Sequence, residues 1–311
     1  MKICVIGTGY VGLVTGVCFA DLGNIVHCVD TDVYKIKKLN YGSVPIFEPG
    51  LEELVKKCYE DKRLIFTTDL KQSVTCSDII FICVGTPTIK ITNSVNLKYV
   101  FKVAKDIRRY IKKFKIVIIK STVPVTTGDK VEKIINLNVR RKLFEVVSNP
   151  EFLREGEAMR DFKYPDRIII GTENKRVTKI LANLYDPIIK KGAIYFKTSR
   201  RSAELIKYAS NAFLATKISF INELANLCEK IGINSEDIAI GMGLDKRIGS
   251  RFLRTGPAYG GSCFPKDTRA LVTTGEKFKA NLSIVKSVIK SNEDRRSLLT
   301  KRIYEIMSNK L

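Results

Sequence analysis

Several groups of residues in this 311-residue chain have the types and spacing to do chemistry. Gly7-Thr8-Gly9-Tyr10-Val11-Gly12 is a GxGxxG that follows an apolar run and opens a helical pattern, and Asp30 closes the next apolar run eighteen residues after Gly12. Such glycines let the backbone approach a pyrophosphate at a helix N-terminus, where free N–H groups and the helix dipole favour negative charge. An acid at Asp30 suits the adenosine ribose hydroxyls and favours NAD over NADP, and Lys35 works against that preference. Cys263 stands in Gly260-Gly261-Ser262-Cys263-Phe264-Pro265-Lys266-Asp267, the one cysteine in a polar, glycine-rich turn. Its thiolate would be the reactive form, and Lys266 and Asp267 flank it with charge. Glu204, Lys207 and Asn211 are spaced by three and four and so share one helix face, while Asn149-Pro150-Glu151-Phe152-Leu153-Arg154-Glu155-Gly156 sets two carboxylates four residues apart. Read locally, Cys263 is equally an incidental loop cysteine, the polar helix face a solvated one, and the 149–156 segment a helix start.

The counts exclude other chemistry. His27 is the single histidine, so a multi-histidine metal site is impossible and no metal is expected. No two of the eight cysteines are three positions apart, which removes CxxC zinc and redox motifs. Several of them lie in apolar runs, where a free thiol packs as a small hydrophobe, and the pattern suits a reducing, cytoplasmic compartment. The net charge is +22, but its basic pairs, among them Lys37-Lys38, Arg108-Arg109, Arg140-Arg141 and Arg200-Arg201, are dispersed along helical patterns as solvated faces. No basic stripe interleaved with aromatics appears, so nucleic-acid binding is the disfavoured reading of that charge. Residues 3–20 carry no charge, yet four glycines interrupt the run and Asp21 closes it. A strand, a glycine turn and a buried helix account for it, and no membrane association is expected.

These groups require elements to hold them. Short β-branched runs at 2–6, 25–29, 64–67, 79–84, 116–119 and 145–147 alternate with amphipathic segments such as 51–58 and 97–112. That alternation predicts an α/β fold, a Rossmann-type doubly wound parallel sheet, with further strands at 167–171 and 194–197. From Ser202 to about Ile231 no Gly or Pro interrupts one long helix, on which Leu205, Ala209, Ala212, Phe213, Phe220, Leu224 and Leu227 recur at helical spacing. Helices over 235–242 and from 281 onward complete an all-α second domain, with the boundary placed at 198/199: 1–198 for the dinucleotide, 199–311 for dimerisation and substrate.

The motifs GTGYVG, FEPGL (47–51), CVGTPT (83–88), STVPVTTG (121–128), NPEFLREG (149–156), PDRIIIG (165–171), ELIKYASNAFLATKISFINE (204–223), RIGSRFL (247–253) and YGGSCFPKD (259–267) occur in this order over nearly the whole chain. Together they resemble the UDP-glucose/GDP-mannose dehydrogenase family. The cysteine and long-helix motifs are highly specific as a pair, and they outweigh the local readings.

The resemblance implies an NAD-dependent, four-electron oxidation of a sugar-nucleotide primary alcohol to a carboxylate, with two NAD consumed in turn. Cys263 would add to the intermediate aldehyde, giving a thiohemiacetal and then a thioester. Lys207, helped by Asn211, would steady the oxyanion; Asp267 and Thr122 would orient a water or the reacting hydroxyl; Glu151 would be the base for hydrolysis. Phe152, Leu153, Arg154 and Glu155, with the segment from Phe252 and Leu253 to Gly260, would hold the sugar nucleotide. Arg247 would reach substrate across a homodimer interface. Thr86, Ser121, Thr122, Glu155 and Lys266 would touch the cofactor, beside the glycine turn with its Tyr10 and Val11.

The RIG–FL spacing and SCFPKD favour UDP-glucose, oxidised to UDP-glucuronate, over GDP-mannose or a UDP-N-acetylhexosamine. Thr126 stands where the family often has Gly, Ala258 replaces a common Gly, and 89–96 lacks the usual Asp-Gly turn. Family members typically carry a third, C-terminal domain for the nucleotide, and the chain stops at Leu311 before it. The expectation is therefore either an enzyme completed by another polypeptide, or a truncated, inactive NAD-binding partner.

Overall fold

The computed structural model describes residues 1–89, 91–139 and 143–308. Lys90, 140–142 with the basic pair Arg140-Arg141, and 309–311 lie outside the described residues. The chain divides into two compact units: 1–87 with 96–207, and 88–95 with 208–311.

The first unit alternates strands and helices: β1 (Lys2–Ile6), α1 (Tyr10–Asp21), β2 (Ile25–Val29), α2 (Val33–Asn40), α3 (Leu51–Glu60), β3 (Leu64–Thr67), α4 (Leu70–Cys76) and β4 (Ile79–Ile82). Beyond a two-stranded hairpin of the second unit, β5 (Thr88–Ile89) and β6 (Ser94–Val95), it resumes with α5 (Lys98–Tyr110), β7 (Lys115–Ile119), α6 (Thr127–Asn136), β8 (Phe144–Ser148), α7 (Ala158–Lys163), β9 (Arg167–Gly171), α8 (Lys175–Ile189) and β10 (Ile194–Thr198). The next element, α9 (Arg200–Ile231), contributes its first two turns to this unit.

The eight strands form one sheet in the order β10-β9-β8-β7-β4-β1-β2-β3. β1 lies between β2 and β4, so the chain reverses direction of travel across the sheet at the β1/β4 crevice, the place where open α/β sheets bind ligands. Alternate strand residues feed two cores: Ile3 and Val5 of β1 join one, Cys4 and Ile6 the other. Burial on both faces explains the near-continuous Val/Ile runs in place of polar alternation. Phe19 of α1 is fully buried, with Phe81, Phe162 and Tyr185 at 5.1–5.3 Å between ring centroids. Its truncation to Ala would cost about 3–5 kcal/mol. The uncharged run over 3–20 is thus a strand, a glycine turn and a buried helix, and no helix among the described residues is long and apolar enough to cross a membrane.

Three features depart from the expected pattern. The sheet is not wholly parallel: β8 and β9 meet antiparallel at Ser148 and Gly171. The 89–96 stretch makes the short antiparallel β5–β6 pair, its turn using Asn93 at φ 52° in place of a glycine. Residues 151–157 do not open a helix; Gly156 sits at φ 88°, and α7 starts only at Ala158.

The second unit is helical: the rest of α9, α10 (Ser235–Gly243), α11 (Phe264–Lys277) and α12 (Ser283–Ser308). Ala215, Tyr259 and Val288 are buried together, with Ile218 and Phe264 against them. The Asn292 side chain accepts from Tyr259 N and donates to Tyr259 O, and Asn222 Oδ1 accepts from Gly256 N. Arg295 donates to Gly256 O, so three side chains fix the 252–260 loop.

Candidate functional site

The glycine turn is shaped by close backbone approach. A Cβ on Gly12 would lie 1.8 Å from Gly7 O, and one on Gly7, at φ 98°, 2.8 Å from Cys83 O in the neighbouring strand turn. Gly9, by contrast, has nothing among the described residues within 4 Å of its missing Cβ and gives α1 no side-chain cap. A helix N-terminus with an open approach is suited to a phosphate. Asp30, at the end of β2, accepts from Thr8 N at 2.9 Å, Thr8 Oγ1 at 2.8 Å and Lys35 Nζ at 3.1 Å. Burial works to raise the Asp30 carboxyl, but the bonds from Thr8, Asp32 and Lys35 outweigh it and hold it below its ordinary value. An anionic Asp30 beside an open glycine turn fits an adenosine ribose and pyrophosphate, so these residues fit NAD.

Across the crevice, Ser121 Oγ donates to Val84 O at 2.7 Å, and Thr86 Oγ1 donates to Thr122 O at 3.0 Å. The loop after β7 is thereby tied to the loop after β4. Glu151 and Lys207 form a buried pair with Oε1 and Nζ at 3.2 Å. The second oxygen of Glu151 accepts from Leu153 N at 2.6 Å. Phe152 packs beneath both Lys207 Nζ, at 5.1 Å from the ring centroid, and the Arg167 guanidinium, at 4.2 Å.

Two residues of this unit went unassigned in the sequence. Glu48, in the FEPGL motif, is buried, hydrogen-bonds the Tyr10 hydroxyl, and accepts from Gly156 N at 3.0 Å and Met159 N at 3.1 Å. It clamps the 153–157 loop to the start of α1. Lys120 is buried and donates to Asn149 Oδ1 at 3.1 Å, an oxygen that also accepts from Tyr185 Oη at 2.6 Å. Burial pushes the Lys120 ammonium down to about 8. A lysine closing an apolar strand was the available signal for it.

Other expected contacts differ. Arg154 is held by Asp161 at 2.6 Å and by Glu157 at 2.5 Å, and Glu155 is exposed. The polar face of α9 is not solvated: Glu204, Lys207 and Asn211 are only 3%, 4% and 7% exposed. Leu205, Ala209, Phe213, Phe220 and Leu227, from the apolar set, are the exposed ones.

In the second unit Cys263 is the N-cap residue of α11 and is half-buried, its Sγ 3.6 Å from Ser262 Oγ. Burial pushes the Cys18 and Cys83 thiols up to about 12, which makes them inert. One turn along α11, Asp267 is 1% exposed. Asn211 Nδ2 donates to Asp267 Oδ2 at 2.6 Å. Asp267 Oδ1 has Lys266 Nζ at 3.2 Å as an ion pair and no hydrogen-bond donor among the described residues. A buried carboxylate oxygen in that state is a ready acceptor for a water or a hydroxyl. Leu253 is buried, Phe252 has φ 66°, and Gly260 is exposed just before the cysteine turn. Arg247 is 90% exposed and paired with Asp245 at 2.6 Å.

Comparison with known proteins gives two domain matches. Residues 1–189 match the NAD binding domain, and 201–294 the central domain, of the UDP-glucose/GDP-mannose dehydrogenase family. The chain is 50% identical over 305 residues to a UDP-glucose 6-dehydrogenase of Rhizobium meliloti (strain 1021), covering 97% of this chain and 70% of that protein. Among solved structures, a UDP-glucose dehydrogenase from the hyperthermophilic archaeon Pyrobaculum islandicum superposes with a TM-score of 0.90 at 40% identity, covering 94% of this chain and 67% of that one. A GDP-mannose dehydrogenase from Pseudomonas aeruginosa gives 0.77 at 34% identity, over 95% and 69%. The chain thus spans about two thirds of the length of these relatives. With both domain matches in sequence order and half its residues shared with one such enzyme, the chain belongs to the UDP-glucose/GDP-mannose dehydrogenase family.

Proposed function

We propose that this protein is an NAD-dependent UDP-glucose 6-dehydrogenase that forms UDP-glucuronate. One observation carries the reading: Cys263 is a half-buried thiol at a helix N-cap, one turn from a buried Asp267 oxygen that is ion-paired with Lys266 but makes no hydrogen bond among the described residues, while six other cysteines are sealed in apolar surroundings. UDP-glucose is favoured over GDP-mannose because the named UDP-glucose relatives are 50% and 40% identical and the GDP-mannose enzyme 34%.

Bound NAD supplies the hydride acceptor in each of two rounds. In the first, the C6 alcohol loses a hydride and its hydroxyl proton, leaving an aldehyde. An aldehyde has no hydride to give until a nucleophile adds to it, so Cys263 Sγ bonds to C6 and forms a thiohemiacetal. Loss of the second hydride leaves a thioester on Cys263. Water then adds to that carbonyl, the C–S bond breaks, and the thiol and a carboxylate are released. Lys207 and Asn211, on successive turns of α9, steady the developing oxyanion. Asp267 and Thr122 orient the water or the reacting hydroxyl, and Glu151 accepts the proton of the attacking water.

A homodimer built on α9 belongs to this reading. Phe213, Phe220, Leu227 and Ile231 follow one another at steps of seven, seven and four residues and are exposed by 67%, 47%, 52% and 58%. Such a stripe matches a helix seam in want of a partner. Arg247, with its exposed guanidinium, would reach the partner's substrate. The cytoplasm is the proposed setting, where buried free thiols stay reduced.

The test is NADH formation from UDP-glucose, GDP-mannose and UDP-N-acetylhexosamines, with thermal shifts measured for NAD and UDP-glucose separately and together. Turnover and a mutual shift with UDP-glucose are expected. Turnover on GDP-mannose alone would refute the choice of sugar.

A further inference from the structure

Glu204 lies on α9 one turn before Lys207, in the same unit, and its carboxylate is 3% exposed. It reaches across 78 and 76 residues of sequence to accept from Thr126 N at 2.8 Å and Gly128 N at 2.7 Å. A third donor, Ser148 Oγ at the end of β8, stands at 3.4 Å. Thr126 is the N-cap of α6, and it makes no side-chain cap of its own. The cap is therefore supplied by another helix.

A local cap would have been less costly. Asp or Ser at the N-cap satisfies the same N–H groups at the surface, whereas burial of a carboxylate is penalised. Burial indeed pushes Glu204 up to about 7, against the pull of the Gly128 and Thr126 amides. The surroundings are built to accept this contact. A Cβ on Gly128 would lie 2.4 Å from the Arg200 side chain, and one on Gly171 2.6 Å from Ala203 Cβ. Arg200 also pairs with Asp129 at 2.6 Å and Glu132 at 2.5 Å, and Arg201 with Asp129 at 2.7 Å, all on α6. The start of α9 is thereby fastened to the start of α6 and the ends of β8 and β9.

We propose that Glu204 is a positioning residue, which sets the register of the 121–128 loop, and so of Thr122, against the helix turn that bears Lys207. The proposal rests on the dehydrogenase reading, since it assigns Thr122 and Lys207 to one reaction. The Thr122 end of the loop is already tied by Thr86 and Ser121, so Glu204 fixes the other end.

The experiment compares wild type with Glu204→Gln, and with Glu204→Asp should the first variant not fold. Gln offers one acceptor oxygen and an NH2 where two N–H groups converge; Asp keeps the charge but is one methylene too short for both. Kinetics with UDP-glucose and NAD are read beside hydrogen exchange of the α6 amides. We expect faster exchange at the start of α6 and a kcat lower by about tenfold or more, with both KM values within about threefold, as expected when reacting groups are displaced and binding groups are not. Unchanged kcat in a folded variant overturns the proposal, even with faster exchange, because the role would then be structural only. If wild type itself does not oxidise UDP-glucose, the dehydrogenase reading fails separately. The register claim is then judged by exchange at the start of α6 in the folded variant: unchanged exchange overturns it, and faster exchange with NAD affinity within about threefold of wild type retains it.

Discussion

Glu151 Oε1 and Lys207 Nζ are 3.2 Å apart, and the two side chains are 7% and 5% exposed. A pair this buried is held by its own charges, so removal of one partner strands the other. Lys207→Met should lower unfolding free energy by about 3–5 kcal/mol. Adding Glu151→Gln should restore part of that loss. Urea denaturation of the single and double variants checks both expectations; a loss in the double variant equal to the sum of the two single losses would mean the two residues do not interact.

The Glu204 carboxyl sets a pH dependence of stability. Its folded value of about 7 lies above the ordinary 4.5, so its contribution is fully present below the unfolded value and is lost as pH rises through the folded one. Wild type should therefore lose on the order of 3 kcal/mol relative to Glu204→Gln between about pH 4.5 and 7.5. Denaturation curves for both proteins at several pH values measure the difference, and parallel pH profiles would count against the assignment.

Thr126 occupies the left-handed region at φ 78°, where a β-branched side chain is strained. Thr126→Gly keeps the N–H that Glu204 accepts and should raise stability by about 0.5–1 kcal/mol once the extra flexibility of the unfolded chain is discounted. A thermal melt reads this directly; destabilisation would show that the Thr126 side chain contributes more than its strain costs.

Asp30 governs the cofactor. Asp30→Ala should weaken NAD by about tenfold or more, through lost ribose bonds and an unpaired Thr8. NADP should lose less, because the repelling carboxylate is gone while Lys35 remains. Calorimetric titration of both cofactors checks the change in ratio.

How much of this was legible in the sequence depended on the range of the forces involved. The strands announced themselves through Val/Ile runs such as 116–119, because burial on both sheet faces leaves no room for polar alternation. The glycine turn was legible because Gly7 and Gly12 answer local sterics. The β5–β6 pair was missed, since its two-residue strands are too short to show periodicity. The antiparallel meeting of Ser148 with Gly171 is a matter of chain path that local composition does not record. On α9, solvation of the polar face was the local expectation, and partners 56 and 76 residues away, Glu151 for Lys207 and Gly128 for Glu204, reversed it. Exposure of Phe213 and Phe220 follows from the same rotation of the helix. Glu48 and Lys120 remained unassigned because each acts through a contact distant in sequence.

The most direct measurement is the number of NADH formed per UDP-glucose in a single turnover, with wild type and Cys263→Ser compared under excess NAD. Two are expected from wild type and at most one from the variant, whose hydroxyl adds poorly to the aldehyde. Two NADH from the Ser variant at the wild-type rate would contradict a thioester at Cys263.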